Sequence, residues 1–302
     1  MAGIPRKKIG EIANRLKFEP RIREMYVEGL FDRDFYRLAL KALGIHDVQV
    51  YPISTVEITS EMLAAAGFSE GERQRVQFAA AQLSQTKDIY HQVIFLVDAD
   101  MDYLLDAPPP NAPLEWTAGT SAEVIMWNKS SLERFFEVAL ARQDANSKAN
   151  SIMPFVESIV TQVCCLRAAK EKAGKDWNLI DIADAFSAKS EFSFDDYCQK
   201  VASRNKAHKE FKEEISPLLG EIIERAKTLE TPQKMHGHDL MAALARKLKI
   251  DGLKQGCLDD PHELGRLMLA SLEWGTVTTD ETLAKLKKKF PNPSKTVNGA
   301  FG

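Results

Sequence analysis

The sequence predicts an α/β fold, in which a mostly parallel sheet is flanked by helices, with an additional α-helical half. Short apolar runs alternate with amphipathic segments over the first half of the 302 residues, as in strands joined by crossover helices. The strongest run, 93–97, is apolar at every position, which is typical of a buried parallel strand. From about residue 151 the pattern changes to helical periodicity.

In the first half, strands and helices can be assigned in order from this alternation. The predicted strands are 25–28, 47–53, 92–98 and 122–127. The predicted helices are 32–43, 60–66, 72–86 and 131–142. The segment 108–113 (PPPNAP) cannot be helical because its prolines lack the amide proton, so it is predicted to be a surface loop.

The second half reads as a series of helices with recognisable ends. The first predicted helix is 152–173, with Pro154 in its first turn and Gly174 as the residue after its C-terminus. Ser216 and Pro217 predict an N-cap and a first helical position. The remaining predicted helices are 193–214, 217–229, 238–248, 260–273 and 279–289.

Composition restricts the class of protein. With 40 basic and 43 acidic residues, the formal charge of −3 argues against non-specific coating of nucleic acid but allows a local basic groove. None of the four cysteines has metal-ligand spacing, and the adjacent Cys164 and Cys165 are expected to be buried, reduced thiols. No signal peptide and no apolar segment of about 18 residues is apparent, so we expect a cytoplasmic protein with no membrane contact.

Acidic residues follow two of the predicted strands. Glu28 ends the first strand, and Asp98 and Asp100 end the strongest one. Because the carboxyl ends of parallel strands meet at one crevice, these side chains should share a pocket, with Asp32 reaching it from the next helix. Carboxylates this close need a cation, and Mg²⁺ or Mn²⁺ suits them. The alternative is an acidic turn without a ligand, with Asp32 favoured only by the helix dipole.

Two other sites for these carboxylates are excluded by sequence. A calcium loop of the EF-hand type needs Gly at its sixth position and Glu at its twelfth, where this chain has Tyr103 and Pro109. A Walker-type nucleotide site needs the pattern GxxxxGK[ST], which does not occur in the sequence. The acidic pattern therefore points to a metal-dependent phosphodiester enzyme.

The order of these parts resembles the Toprim family, in which a strand ends in Glu-Gly, an Asp follows one helical turn later and a later strand ends in Asp-x-Asp. Two further blocks, Trp127-Asn128 with 131–135 and the GHDL sequence of 237–240, are similar to the stand-alone group related to old-family (OLD) nucleases, the AriB group. That group supplies the effector of PARIS-type anti-phage systems. One departure is Arg134, which stands where the group has asparagine.

The resemblance implies a Toprim-like sheet and a set of ligands for Mg²⁺ or Mn²⁺. It implies a metal-dependent endonuclease that cleaves tRNA and arrests translation after release from an ABC-type ATPase sensor. On this basis residues 1–148 are the catalytic domain and 149–302 the helical region that forms partner and homodimer surfaces, with 231–250 returning toward the active site. The implied metal ligands are Glu28, Asp32, Asp98, Asp100 and Glu133.

Two residues in or just before the GHDL sequence are candidate catalytic groups, in addition to Glu28 and Asp32. His238 could contact the scissile phosphate or protonate the leaving oxygen, and Lys234 could stabilise the developing charge. Alternatively, His238 only caps the helix that begins there. The other five histidines are expected at the surface or in interfaces.

Two other functions stay open at this point. The chain could nick or cleave DNA like an OLD nuclease, or it could be a non-catalytic subunit that only binds the ATPase.

Overall fold

The computed structural model describes residues 6–187, 191–253 and 256–291. Its sheet has four strands, all parallel, in the order β2-β1-β3-β4. The strands are β1 (Arg23–Val27), β2 (Val48–Pro52), β3 (Val93–Val97) and β4 (Leu114–Trp116). The α/β class and the parallel sheet predicted from the sequence are confirmed.

Helices account for most of the remaining chain. The first seven are α1 (Ile9–Phe18), α2 (Leu30–Ala42), α3 (Ser60–Ala65), α4 (Glu72–Leu83), α5 (Asp102–Leu105), α6 (Ala122–Met126) and α7 (Lys129–Arg134). The others are α8 (Ala145–Lys172), α9 (Phe194–Arg204), α10 (His208–Glu210), α11 (Ser216–Ala226), α12 (Gly237–Ile250), α13 (Pro261–Ser271), α14 (Trp274–Val277) and α15 (Glu281–Lys289). Short π-helical turns follow α7 and α10, at Phe135–Ala139 and Phe211–Ile215.

The chain forms two compact units that are each assembled from separate stretches of sequence. The sheet unit contains the described residues of 1–98, 109–118 and 274–302, and the helical unit contains those of 99–108 and 119–273. The chain therefore passes between the units four times. The division of roles between residues 1–148 and 149–302 stays a prediction.

The core of the sheet unit is built on the two central strands. In β1 and β3, Tyr26 lies opposite Phe95, and their rings stack with centroids 5.1 Å apart. Helices α1 and α4 pack on this face, and Ile12 and Leu16 of α1 are fully buried there. Helices α1 and α4 and strands β1 and β3 thus share one apolar layer, although α1 was not predicted from the sequence.

Two elements beside the sheet differ from the prediction. Residues 122–127 were predicted to be a strand but form helix α6. A short apolar run has no periodicity that separates a strand from a buried helix, and Val124, Ile125 and Met126 are all buried. The edge strand β4 was not predicted, because three residues directly after Pro113 carry no strand pattern.

Helices of the helical unit also depart from the predicted bounds. Helix α8 begins at Ala145, so Pro154 lies inside it rather than in its first turn. The predicted helix 193–214 is interrupted where Lys206 has φ of 53°. Ser216 is not an N-cap, since the π-helical turn before it leads directly into α11. Gly174, with φ of 63°, ends α8 as predicted.

Helix α8, with 28 residues, is the longest helix of the described chain. It is the one described helix long and apolar enough to cross a membrane, contrary to our expectation, but 56% of its most apolar stretch is buried inside the protein. Such burial is that of a core helix in a soluble protein. Cys164 and Cys165 on this helix are buried and free, as predicted.

Candidate functional site

The first two acidic positions come together at the carboxyl ends of the central strands. Glu28 directly follows β1 and Asp98 directly follows β3, its hydrogen-bonded neighbour. The main-chain N–H of Asp98 donates to Oε1 of Glu28 over 2.9 Å. We call Glu28 and Asp98 the strand-end pair. Parallel pairing places them side by side although 70 residues separate them in sequence, as predicted.

Asp32 lies in the first turn of α2, immediately after this pair. Its Oδ2 accepts a hydrogen bond from the main-chain N–H of Gly29 over 2.8 Å, which satisfies one of the unpaired donors at the helix start. Gly29 has φ of −119°, which any residue adopts. A Cβ at Gly29 would lie 3.3 Å from that oxygen of Asp32, so the glycine makes room for this contact.

Asp100 belongs to the helical unit and is held in a constrained backbone. Its φ of 44° is in the left-handed region, which is uncommon for a residue other than glycine. Its N–H donates to the carbonyl oxygen of Thr120 over 3.1 Å. Its Oδ1 lies 3.9 Å from Nε2 of His236. Backbone strain of this kind persists where surrounding contacts hold it.

His236, which was expected to be a surface or interface residue, is instead the histidine closest to an acidic candidate. Its Nδ1 lies 3.6 Å from Oδ2 of Asp239, on the side of the ring away from Asp100. Arg167 donates from Nε and Nη2 to both oxygens of Asp239, at 2.7 and 2.8 Å. Burial is the main cause that lowers the pKa of His236 below its usual value, although the carboxylates of Asp239 and Asp100 act against it.

His238, the predicted catalytic histidine, is exposed and lies in the helical unit. It is the second residue of α12 rather than its cap, because His236 holds the N-cap position and makes no side-chain cap. The centroid of its ring lies 5.6 Å from that of His236 and 6.0 Å from that of His262. The capping alternative for His238 is therefore wrong, and its catalytic role stays a prediction.

Lys234 is engaged at the end of a helix. Its ammonium donates to the carbonyl oxygens of Ala226 and Leu229, each at 3.2 Å, which satisfies acceptors at the C-terminus of α11. These two hydrogen bonds give Lys234 a structural role, and its catalytic role stays a prediction.

Gly237 is required by close packing at the start of α12. A Cβ there would lie 2.7 Å from Oε2 of Glu123 and closer still to Oγ of Ser121. The start of α12 therefore approaches the start of α6 too closely for any side chain.

The block around Glu133 serves mainly to build the helical unit. Asn128 caps α7 by accepting from the N–H of Ser131 over 2.9 Å, and Nε1 of Trp127 donates to Glu157 over 3.0 Å. Glu133 forms an ion pair with Lys129 over 3.5 Å on the same helix. The roles of Asp100 and Glu133 as metal ligands stay predictions.

The strand-end pair has the chemistry that a magnesium site requires. Mg²⁺ is usually held by one or two carboxylates and otherwise by water and substrate phosphates, and Glu28 and Asp98 supply two such groups. Asp98 N–H also fixes the orientation of one of them. Among the residues that the structure describes, no three or more His, Cys, Asp or Glu side chains form a group that could hold a metal by themselves.

Comparison with known proteins adds no family to this geometry. No family model matches the chain, and no curated protein matches it either. Its function must therefore be inferred from its own residues.

Proposed function

We propose that this chain is a Toprim-like, Mg²⁺- or Mn²⁺-dependent endonuclease, and that its metal is held at the strand-end pair. The observation that carries the proposal is the hydrogen bond from Asp98 N–H to Glu28 Oε1, which joins two acidic residues at the ends of adjacent parallel strands. Open parallel sheets bind their ligands at this edge. A stability role alone would not need two carboxylates side by side, since their repulsion raises the energy of the unliganded site.

In this proposal, the Glu28 and Asp98 carboxylates supply charge for the metal, and main-chain amides fix the orientation of Glu28 and Asp32. The Asp98 amide holds the Glu28 carboxylate in one orientation, and the short β1–α2 connection brings Asp32 one helical turn away. When bound, the metal would neutralise phosphate charge and lower the pKa of a bound water. Asp32, fixed by the Gly29 amide, is the carboxylate that we assign to orienting the attacking water.

The substrate and setting that we propose follow from the sequence resemblance. The substrate is RNA, and tRNA in particular, and the chain acts in the cytoplasm as a toxic effector of an anti-phage system. An ABC-type ATPase sensor would hold it inactive, and a homodimer would be the active form. Cleavage of supercoiled DNA instead of tRNA would support the OLD-type alternative.

The direct test uses substitutions that remove charge and keep shape. Glu28→Gln retains an oxygen that accepts from Asp98 N–H, so the fold should survive while cleavage of total tRNA in Mg²⁺ falls by about 10³-fold or more, the loss of several kcal/mol of charge stabilisation. Asp98→Asn should behave alike. Glu57→Ala is the matched control, because Glu57 is an exposed carboxylate of the same unit, and it should cleave normally.

A second readout does not depend on activity. Mg²⁺ at about 100 times its dissociation constant should stabilise the wild type by about 2.7 kcal/mol, because only the folded site binds it. The Glu28→Gln/Asp98→Asn double variant should show no such rise in melting temperature. An equal rise in both proteins would remove the metal from the strand-end pair, and full cleavage by Glu28→Gln would reject the nuclease site and favour a non-catalytic subunit.

A further inference from the structure

A cavity lies wholly within the helical unit. It has a volume of about 710 Å³, within the range of sites that bind small molecules. The first turns of α12 and α13 form one side of it, and the irregular segment after α8 forms the other. We call it the α12–α13 cavity.

Two histidines occupy equivalent places on this first side. His238 is the second residue of α12 and His262 is the second residue of α13. Both are exposed, both line the cavity, and their ring centroids lie 6.0 Å apart in an edge-to-face arrangement. Trp177 adds an aromatic ring to the lining. Rings in an open cavity are suited to stacking on an unpaired base.

The opposite side is an irregular segment that side chains hold in place. Main-chain groups between Trp177 and Phe186 are bound by four side chains from neighbouring helices. Lys170 donates to the carbonyl of Trp177 over 2.9 Å, and Tyr197 donates to that of Ile180 over 2.7 Å. A long connection that is fixed in this way is typical of a binding loop, and its fixed shape lowers the entropic cost of binding.

The charges of the lining indicate what kind of ligand fits. It contains three basic side chains and three carboxylates, so its formal charge is zero with neutral histidines; these are Arg167, Lys170 and Arg204, and Asp181, Asp184 and Asp239. Arg167 and Asp239 neutralise each other through two hydrogen bonds. Lys170 is committed to Trp177. An inorganic anion or a polyphosphate would be repelled by the carboxylates that remain.

Three exposed groups are then left to bind a ligand. Within the described chain, the guanidinium of Arg204 makes no hydrogen bond or ion pair, which suits it to a phosphate. Asp181 and Asp184 are exposed carboxylates on the other part of the lining. Oδ1 of Asp181 accepts from the N–H of Ala183 over 2.8 Å, so Asp181 offers its Oδ2 to a ligand. Carboxylates accept hydrogen bonds from the exocyclic amino groups of bases. A phosphate, an aromatic base and an amino edge together describe a nucleotide.

We propose that the α12–α13 cavity binds one unpaired nucleotide of the RNA substrate, with its phosphate at Arg204, its base against the imidazole of His262 and its amino edge at Asp181 and Asp184. The proposal rests on the proposed function only for the identity of the polymer. It assigns to this cavity a binding role that needs no metal. A base with an exocyclic amino group should therefore bind better than uracil.

The test measures binding of fluorescein-labelled hexa-adenylate RNA to the full chain in EDTA, where no cleavage occurs. Arg204→Ala should weaken binding about tenfold and reduce the slope of log K against log salt by about 0.7, the value for one phosphate contact with single-stranded nucleic acid. His262→Ala should weaken it about tenfold through lost stacking. Both side chains are exposed, so the folded state should be unaffected.

Matched controls keep the result specific. Lys200→Ala removes an exposed cation one turn earlier on the helix that carries Arg204, and His91→Ala removes an exposed histidine of the sheet unit. Both should bind RNA as the wild type does. Equal weakening by Arg204→Ala and Lys200→Ala would overturn the proposal, and so would hexa-uridylate binding as tightly as hexa-adenylate. In competition, the proposal would also fail if inorganic phosphate displaced the RNA at a concentration 10-fold lower than adenosine monophosphate needs.

Glu28→Gln separates this inference from the proposed function. It should bind hexa-adenylate normally in EDTA while failing to cleave in Mg²⁺. Normal binding by a wild-type protein that cleaves no nucleic acid would reject the nuclease and leave the cavity assignment standing. If the wild type cleaves tRNA but Arg204→Ala and His262→Ala bind hexa-adenylate normally, the cavity assignment is rejected and the nuclease proposal stands.

Discussion

Glu24 and Glu28 lie four residues apart on and just after one short strand, in different surroundings. Glu24 is 1% exposed, accepts a hydrogen bond from the Tyr26 hydroxyl over 2.7 Å, and forms an ion pair with Arg15. Nζ of Lys7 lies 3.7 Å from the same carboxylate. Burial raises the pKa of Tyr26, and the neighbouring charge of Glu24 raises it further. Glu24 therefore joins the N-terminal segment to the sheet, away from the candidate site.

This cluster yields a prediction about stability. Glu24→Ala should lower the free energy of unfolding by about 3 kcal/mol, because it leaves the Tyr26 hydroxyl and the partly buried Arg15 without their partner. Glu24→Gln should cost less, since its oxygen can still accept from Tyr26. Urea unfolding followed by circular dichroism measures both. A cost below about 0.5 kcal/mol for Glu24→Ala would show that the cluster contributes nothing.

The sequence located the strand-end pair but did not single out His236, which lies between Asp100 and Asp239. Glu28 and Asp98 could be found because each follows an apolar strand, and parallel strands bring their ends together. His236 and His238 lie two residues apart, and the start of a helix is uncertain by that amount in sequence. Only the position of α12 decides that His236 lies partly buried beside Asp239 while His238 faces the cavity.

At the scale of elements, helix α8 shows how a core helix protects its side chains. Its Cys164 and Cys165 are buried, and burial raises the pKa of the Cys165 thiol to about 11. Cys198 on α9 is buried as well, with a pKa raised by burial to about 12. Cys257 is exposed. Because the thiolate is the reactive form and burial disfavours it, only the exposed Cys257 of the four thiols should react quickly.

Thiol titration tests this packing. With Ellman's reagent at pH 8, the native protein should release about one equivalent quickly and four in denaturant, because three thiols are both buried and protonated. Cys257→Ser should abolish the fast phase. Rapid release of two or more equivalents from the native Cys257→Ser variant would show that α8 or α9 opens readily.

Helix α12 was predictable because its pattern is long and its start is marked, whereas two short elements beside the sheet were not. Helix α12 was predicted within two residues of its observed ends, because fourteen residues carry a clear apolar face and begin after a glycine-flanked turn. Helix α6 and strand β4 have five and three residues. At such lengths the neighbours in space, and not the local pattern, decide between helix and strand.

At the scale of the whole molecule, the sheet unit depends on the last part of the described chain. The Trp274 ring lies 5.7 Å from that of Phe35, and Thr282 Oγ1 accepts from the N–H of Ala118 over 2.8 Å. Phe290 is fully buried in the same unit, with the Arg23 guanidinium 5.6 Å from its ring. Sequence alone did not show this return, because α14 and α15 look like further members of the helical half.

Phe290→Ala should therefore destabilise the sheet unit by about 3 kcal/mol, the usual cost of removing a buried aromatic ring. Phe18→Ala is the matched control, because Phe18 is 81% exposed in the same unit, and it should cost less than about 0.5 kcal/mol. Urea unfolding compares the two variants. Equal stability of both would show that α15 is not part of the sheet unit's core.

The return of α14 and α15 to the sheet unit also determines when that unit can be completed during synthesis. All four strands have been made by Trp116, but the helices that finish their unit begin at Trp274. At the usual rate of translation, the ribosome needs roughly 10 to 30 s to make the intervening residues. A chain released early would lack the buried Phe290 and its neighbours. For a protein proposed to cut tRNA, this order delays the finished nuclease until the ribosome has made the helices that complete the sheet unit.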